Sequence, residues 1–146
     1  MTDSVIKQSL IDRFLTLNTT SGTDFIMFDT SGNTTNVALS NKSFTPPDNG
    51  SWFELYFLPA EPVPASLGEN AQNRWTGIFQ IDICVPLNAG DGEVNDKYSY
   101  ITELFKRGTT FDDVEIQNCY SPKDGEAEDI CYRKIVRITW TADIDN

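Results

Sequence analysis

Two segments in which large apolar residues recur at every second position constrain the fold of this chain more than any other feature. Residues 75–85 place Phe79, Ile81, Ile83 and Val85 on one side, with Gln80 and Asp82 on the other. Residues 131–141 repeat the pattern with Val136, Ile138 and Trp140. A period of two is typical of strands that bury one face, so these segments predict two strands of a sheet with its core on one side.

Three further segments predict smaller sheet elements. Residues 52–58 alternate in the same way but carry aromatic residues on both sides, so we expect this strand to be covered on more than one side. Residues 114–119 predict a short strand, and residues 24–39 a small hairpin around a polar turn. Residues 59–73 contain Pro59, Pro62 and Pro64 and show no period, so they predict a long connection.

Two helices are predicted from apolar residues spaced three or four apart. They cover residues 4–17, with Asp3 or Ser4 as the cap, and about 93–107, with Asp91 as the cap and Gly108 at the left-handed position after the end. Their apolar stripes are Ile6, Leu10, Phe14 and Leu17, and Val94, Tyr98, Ile101 and Phe105. The order of elements predicts one α+β domain over residues 1–146, a mainly antiparallel sheet with two helices packed on one face.

The charge balance excludes several classes of function. There are 11 Lys and Arg against 22 Asp and Glu, a net charge of −11, and no histidine. Without histidine there is no Ser-His-Asp or Cys-His catalytic unit and no histidine-containing zinc site. An acidic chain also lacks the basic footprint that nucleic-acid binding needs. We expect no cofactor, no catalytic activity, and neither a signal peptide nor a membrane span.

Neither the three cysteines nor the acidic clusters form a pattern that is typical of a catalytic or metal-binding site. Cys84 lies in an apolar run and is expected in the core, while Cys119 and Cys131 flank a loop. Reduced thiols are the favoured interpretation, and a disulfide between Cys119 and Cys131 is the alternative. Residues 124–129 and the pair at 112–113 are better explained as solvated acidic turns than as a cation site or catalytic carboxylates. A binding or assembly module needs only a shaped surface, which the loop 59–75 supplies, whereas an enzyme would need a dispersed site.

Several stretches, taken in order, resemble a phage family found in tail gene clusters, the tail terminators of phages with long flexible tails. The stretches are Ser4–Phe14, Phe44–Phe53, Leu58–Pro62, Leu67–Gly68, Asn73–Asp82, Val85–Pro86 with Gly90–Gly92, and Leu104–Gly108. The resemblance covers residues 4–17 and 37–141. Residues 19–36 are longer than the usual link after the first helix, and the acidic loop 121–129 is variable.

The resemblance implies a structural protein of the virion tail, assembled in the host cytoplasm. Tail terminators form a hexameric ring that caps the tail tube, stops its polymerisation and presents the surface that joins the head. The implied partners are further copies of the chain, the tail tube protein and a head-completion protein, and DNA passes through the lumen without specific binding. The alternatives are a head-completion (stopper) protein on the portal side, or a small ligand-binding domain or hydrolase outside phages.

Under this resemblance we expect the ring and tube contacts at the loop 59–75 and on the sheet face without helices. Arg74 and Trp75 are the main candidates, because arginine and tryptophan are typical interface anchors. Leu67 belongs to the same loop, and Glu54 and Asp82 are weaker candidates for ring contacts. The alternative interpretation makes Trp75 the first core residue of its strand and Arg74 a solvated charge.

The net charge predicts how assembly depends on salt. Six copies at −11 each carry −66, and this repulsion weakens as the screening length falls from about 30 Å at 0.01 M salt to about 8 Å at 0.15 M. We therefore expect mostly monomer at low salt and more ring as salt rises, measured by size-exclusion chromatography with light scattering. Rings that dissociate as salt is added would instead indicate contacts held by charge pairs, with Arg74, Arg133 and Arg137 as donors.

Overall fold

The structure is a computed structural model that describes residues 2–39, 44–47, 50–64, 72–88, 90–128 and 130–145. Within these ranges the chain forms three helices and eight strands. In chain order they are α1 (Thr2–Phe14), α2 (Leu17–Ser21), β1 (Val37–Ala38), β2 (Trp52–Pro59), β3 (Val63–Pro64), β4 (Gln72–Val85), α3 (Gly92–Leu104), β5 (Thr110–Phe111), β6 (Val114–Tyr120), β7 (Glu126–Ala127) and β8 (Tyr132–Asp145).

All eight strands belong to one sheet, in the order β1-β2-β4-β8-β6-β5, with β3 added to β4 and β7 added to β8. Every pairing is antiparallel except that of β1 with β2. The longest pairing joins β4 and β8 over 14 residues, from Gln72 opposite Asp145 to Val85 opposite Tyr132. The predicted α+β class, with a mainly antiparallel sheet, is confirmed.

The core lies between one sheet face and the helices. The register aligns the apolar residues in rows across β2, β4 and β8, such as Leu55, Ile81 and Val136. These residues and the apolar stripes of α1 and α3 form one cluster of almost fully buried side chains. Phe14 of α1 meets Phe53 of β2 edge to face, with ring centroids 5.2 Å apart. Burial of this apolar surface is the main source of stability.

The helices differ from the prediction at their ends. The expected helix 4–17 begins at Thr2 and ends at Phe14, and a separate one-turn helix starts at Leu17 and ends before Gly22, whose φ is +71°. The polar residues after Leu17 therefore continue the helical path instead of stopping it. Between the two helices, the hydroxyl of Thr16 donates to the carbonyl of Arg13 at 2.7 Å.

The second predicted helix is also shorter than expected, although Asp91 does occupy the predicted N-cap position. It ends at Leu104, and the Asp91 side chain makes no capping hydrogen bond. Gly108 does adopt a left-handed φ of +88°, but its backbone N–H donates to the carbonyl of Ile116 at 2.8 Å. It therefore turns the chain toward β6 rather than closing α3.

The predicted hairpin over residues 24–39 is reduced to a single bridge between Phe28 and Thr34. Val37 and Ala38 pair instead with β2, in parallel. The backbone before them is held by side chains: the Asn36 amide donates to the carbonyl of Phe25 at 2.9 Å and accepts from the N–H of Met27 at 2.8 Å. A buried asparagine thus supplies hydrogen bonds that a second strand would have made.

Part of the predicted long connection is strand. Val63 and Pro64 pair with Arg74 and Asn73, and β4 already begins at Gln72. Residues 65–71, which include Leu67, lie outside the described residues. The acidic loop likewise contains β7, which pairs with β8.

All three cysteines are free, as the favoured interpretation expected. The alternative disulfide between Cys119 and Cys131 is wrong, because the sheet separates the two residues. Cys119 lies opposite Ile138 and packs on the helix side, whereas Cys131 is buried on the other side with Cys84 and Trp52. Among the described helices, none has the length and apolar character to cross a membrane.

A methyl group at Gly77 is predicted to destabilise the sheet. An added Cβ would lie 2.7 Å from the carbonyl oxygen of Leu58, 2.8 Å from Cζ2 of Trp140 and 2.9 Å from Cα of Pro59. Two of these atoms are backbone, so Gly77→Ala should lower the free energy of unfolding by about 1–3 kcal/mol in urea denaturation. Gly92→Ala is the matched control, because nothing lies within 4 Å of its Cβ position and alanine favours a helix. Equal stability of the two variants would contradict the prediction.

Candidate functional site

The sheet face opposite the helices is the candidate site, and we call it the open face. Successive strand residues point to opposite sides of a sheet, so the register that buries the core also fixes what this face presents. Its rows across β2, β4 and β8 are Trp52, Cys84 and Arg133; Glu54, Asp82 and Ile135; Tyr56, Gln80 and Arg137; and Leu58, Ile78 and Thr139.

Arg133 is the centre of the charge arrangement on the open face. Its guanidinium donates to Glu54 at 2.9 Å, to Asp82 at 2.8 Å and to Glu128 at 2.9 Å. The first two carboxylates come from β2 and β4, and the third follows β7. One cation therefore joins four parts of the chain, and three carboxylates around it leave the cluster with a net charge of −2.

Hydrogen bonds donated to the Glu54 side chain stabilise its ionised carboxylate form. Its Oε2 accepts from Nε1 of Trp52 at 3.0 Å as well as from Arg133, and its Oε1 accepts from the hydroxyl of Tyr56 at 2.7 Å. Burial alone would raise the pKa of Glu54, but these bonds outweigh it and lower the pKa to about 2. Burial and the bond to Glu54 together raise the pKa of Tyr56 to about 12.

Asp82 differs from Glu54 because it is more deeply buried. Burial raises the pKa of Asp82, although hydrogen bonds from Gln80 and Arg133 act in the opposite direction. Burial also works against the charged form of Arg133, but its bonds to Glu54 and Glu128 more than offset this and raise its pKa. The bonds from Arg133 on β8 to Glu54 on β2 and Asp82 on β4 hold three strands in one register.

The predicted interface residues occupy three different environments. Arg74 is exposed and makes a two-bond ion pair with Asp143 of β8, at 2.9 and 3.1 Å. Trp75 points to the other side of the sheet, where it is half-buried against the core. Glu54 and Asp82 do lie on the face without helices, as expected, but Arg133 engages both carboxylates. The fifth predicted residue, Leu67, is outside the described ranges.

Two features of this face were not recognised from the sequence. Arg133 was noted only as a possible donor between subunits, yet it neutralises carboxylates of its own chain. The sequence did contain a signal for this role. Arg133 is one of the polar residues of an alternating strand, and two other strands carry the acidic residues Glu54 and Asp82 at polar positions. The second feature is apolar: Tyr56 and Leu58 are 41% and 51% exposed. No group of His, Cys, Asp and Glu side chains among the described residues is arranged to hold a metal ion.

Removal of the Arg133 charge is predicted to destabilise the fold in a pH-dependent way. At pH 7, Arg133→Met leaves Glu54 and Asp82 without their cation and should lower the free energy of unfolding by about 3 kcal/mol. The lowered pKa of Glu54 means that its pairing stabilises the fold above its usual pKa of 4.5 and that this is lost as the pH falls toward 2. The two proteins should therefore approach equal stability at pH 2, measured by urea denaturation at each pH.

Arg137→Met is the matched control for this prediction. Arg137 lies on the same strand and face, but its guanidinium meets only the side-chain oxygen of Gln80, at 3.5 Å, and forms no ion pair with a described residue. Its loss should change the unfolding free energy by less than about 1 kcal/mol. A pH-independent difference for Arg133→Met would show that lost packing, not charge, is responsible.

Comparisons with known proteins agree with this architecture. A family described as phage tail terminator protein matches residues 7–140. A solved protein structure superposes with a TM-score of 0.68 at 15% sequence identity, covering 99% of this chain and 97% of that chain, and so shows the same fold. Comparison with curated protein sequences finds no match. Because the family match spans nearly the whole chain, this protein belongs to the phage tail terminator family and has a structural role in phage tails.

Proposed function

We propose that this protein caps the end of the phage tail tube as a hexameric ring, stops polymerisation of the tube and forms the surface that joins the tail to the head. The observation that carries the proposal is the family match over residues 7–140. Its partners are then further copies of itself, the tail tube protein and a head-completion protein. Assembly takes place in the host cytoplasm, and the mature protein resides in the virion tail.

The fold supports an assembly role because part of one sheet face, away from the buried Trp52 and Cys84, remains available for contacts. The helices cover one face, while the open face presents the half-exposed side chains of Tyr56 and Leu58. Exposed apolar groups on a strand are costly in water and are typical of contact surfaces when they occur together. The β4–β8 pairing gives this surface a rigid support.

The proposed interface includes the residues predicted from the sequence, but these residues have different roles in it. Arg74 is an exposed cation near the start of β4, and a contact with a neighbouring molecule would replace its exposed ion pair with Asp143. Trp75 supports that strand end from the helix side, and Leu67 belongs to the adjoining loop. The carboxylates of Glu54 and Asp82 are already bound to Arg133. These two residues therefore contribute by fixing the positions of the strands that form the open face.

The charge of −11 supports passage of DNA through the ring. Phosphates and carboxylates repel, so a lumen lined by acidic side chains lets DNA move without being bound. The same charge predicts that the ring forms only with added salt or on a tube end that arranges the subunits before they meet.

The proposed function is tested with polymerising tail tubes. The tail tube protein is assembled with and without this protein, and tube lengths and ends are examined by negative-stain electron microscopy. Short tubes with a ring at one end are expected. Arg74→Glu should reduce the fraction of capped ends by about tenfold if the lost contact amounts to about 1.4 kcal/mol.

Lys123→Glu is the matched control, because Lys123 is also an exposed cation paired with a carboxylate and the charge change is the same. It should cap as the unmodified protein does. Tubes of unlimited length without bound protein would overturn the proposal. Binding to the portal side of a head, with no effect on tubes, would identify a head-completion protein instead.

A further inference from the structure

Two cysteines that are distant in the sequence lie together on the open face. Cys84 belongs to β4, and Cys131 directly precedes β8. Both side chains are fully buried and form one cluster with Trp52, against which Phe44 packs. Their thiols are close enough to share a hydrogen bond, and both are free. The structure therefore holds a preformed pair of reduced thiols that the proposed function does not use.

The register of the sheet brings these two thiols to the same place. Cys84 lies opposite Arg133, and the pairing of β4 with β8 ends one residue further, at Val85 and Tyr132. Cys131 comes two positions before Arg133 and therefore points to the same face, diagonally across from Cys84. A disulfide joins its sulfurs at about 2.05 Å, closer than two hydrogen-bonded thiols stand, so a bond requires a small shift of one of the two residues.

Cys131 is the residue that can make this shift. It lies outside the paired part of β8, and its carbonyl accepts a hydrogen bond from the N–H of Glu128 at 2.8 Å. The preceding residue, Ile130, is 65% exposed. A strand end opens at a lower free-energy cost than a residue held on both sides, as Cys84 is between β2 and β8. Opening of this end therefore gives an oxidant access to a pair that the closed fold covers.

The surroundings of the pair keep both thiols protonated while the fold is closed. Burial raises the pKa of Cys84 and of Cys131, although the guanidinium of Arg133 acts in the opposite direction. The thiol of Cys84 also donates to Oε2 of Glu54 at 3.5 Å. Because the thiolate is the reactive form, the closed pair reacts slowly and persists as two thiols in reducing surroundings.

We propose that Cys84 and Cys131 form a redox-sensitive pair that a peroxide converts into a disulfide. The sulfur of Cys131 attacks one oxygen of hydrogen peroxide, the O–O bond breaks, and a sulfenic acid and one water molecule result. The sulfur of Cys84 then attacks the sulfenic sulfur, the S–O bond breaks, and a second water molecule leaves. The two thiol protons end in the two water molecules, and the two electrons that the sulfurs lose reduce the peroxide.

The disulfide fastens the start of β8 to the end of β4. It closes a loop over residues 85–130, which contains α3, β5, β6 and β7. A cross-link over a loop of this length restricts the unfolded chain and so favours the folded state. Disulfides persist outside the reducing cytoplasm, so the bond forms after release of the virion, an assignment of place that rests on the proposed function. The bond itself is a property of the folded chain and does not depend on that function.

Thiol counting and peptide mapping test the pair in the unmodified protein. Reduced protein is exposed to hydrogen peroxide, the peroxide is removed with catalase, and the remaining thiols are labelled with iodoacetamide in urea and counted from the intact mass. Trypsin cleaves after lysine and arginine and so places Cys84, Cys131 and Cys119 in separate peptides, residues 75–97, 124–133 and 108–123. We expect the count of labels to fall from three to one, with the peptides of Cys84 and Cys131 joined and Cys119 labelled. Three labels, or any oxidised product in which Cys84 and Cys131 are not joined, overturns the inference, whether or not the protein caps tail tubes.

Thermal unfolding gives the second measurement, with Cys119→Ala as the matched control because Cys119 packs on the helix side of the sheet. Oxidation should raise the Tm of the unmodified protein and of Cys119→Ala by about 5–10 °C, because the closed loop is long. Cys131→Ala should show no shift relative to its own reduced form, and the peptide map decides alone if this variant does not fold. A linked protein that melts no higher than the reduced one overturns the fastening of β8 to β4. An equal shift in Cys131→Ala overturns the assignment of the pair.

Discussion

The antiparallel pairing of β4 with β8 is the constraint on which the rest of the structure depends. Its 14 residue pairs set which side chains face the helices and which face outward. A slip of one residue would move the apolar row of Ile81 and Val136 into water and carry Asp82 into the core. The packing of α1 and α3, the pairing of β2 and the composition of the open face all follow from this one register.

The same register creates the charge cluster. Arg133 stands next to Cys84 and within reach of Glu54 and Asp82 only because β2, β4 and β8 are neighbours in that order. A net charge of −11 makes the placement of each cation important, and this one is used inside the subunit to satisfy carboxylates that the sheet half-buries. Arg133 therefore fixes the relative positions of the strands that form the open face.

The predictable parts of the fold are those in which the type of each residue indicates whether its own position is buried or exposed. Alternation in residues 75–85 and the spacing of Ile6, Leu10 and Phe14 reflect burial on one face, which is a local pattern. The short elements were missed because their pairing is decided at long range. Val37 and Ala38 join β2 in parallel, and Asn36 replaces the backbone partner that a hairpin would have supplied.

By itself the sequence determined the class of this protein: the α+β arrangement, the acidic charge and the ordered stretches that mark the tail terminator family. Only the tertiary structure decided what the predicted interface residues do. Neighbouring positions 74 and 75 point to opposite faces, so Arg74 reaches solvent while Trp75 packs on the core. It also brought residues 24–36, 47 and 50–51 together with α3 around a groove. Such placements depend on which strands become neighbours, and no local pattern of residues carries that information.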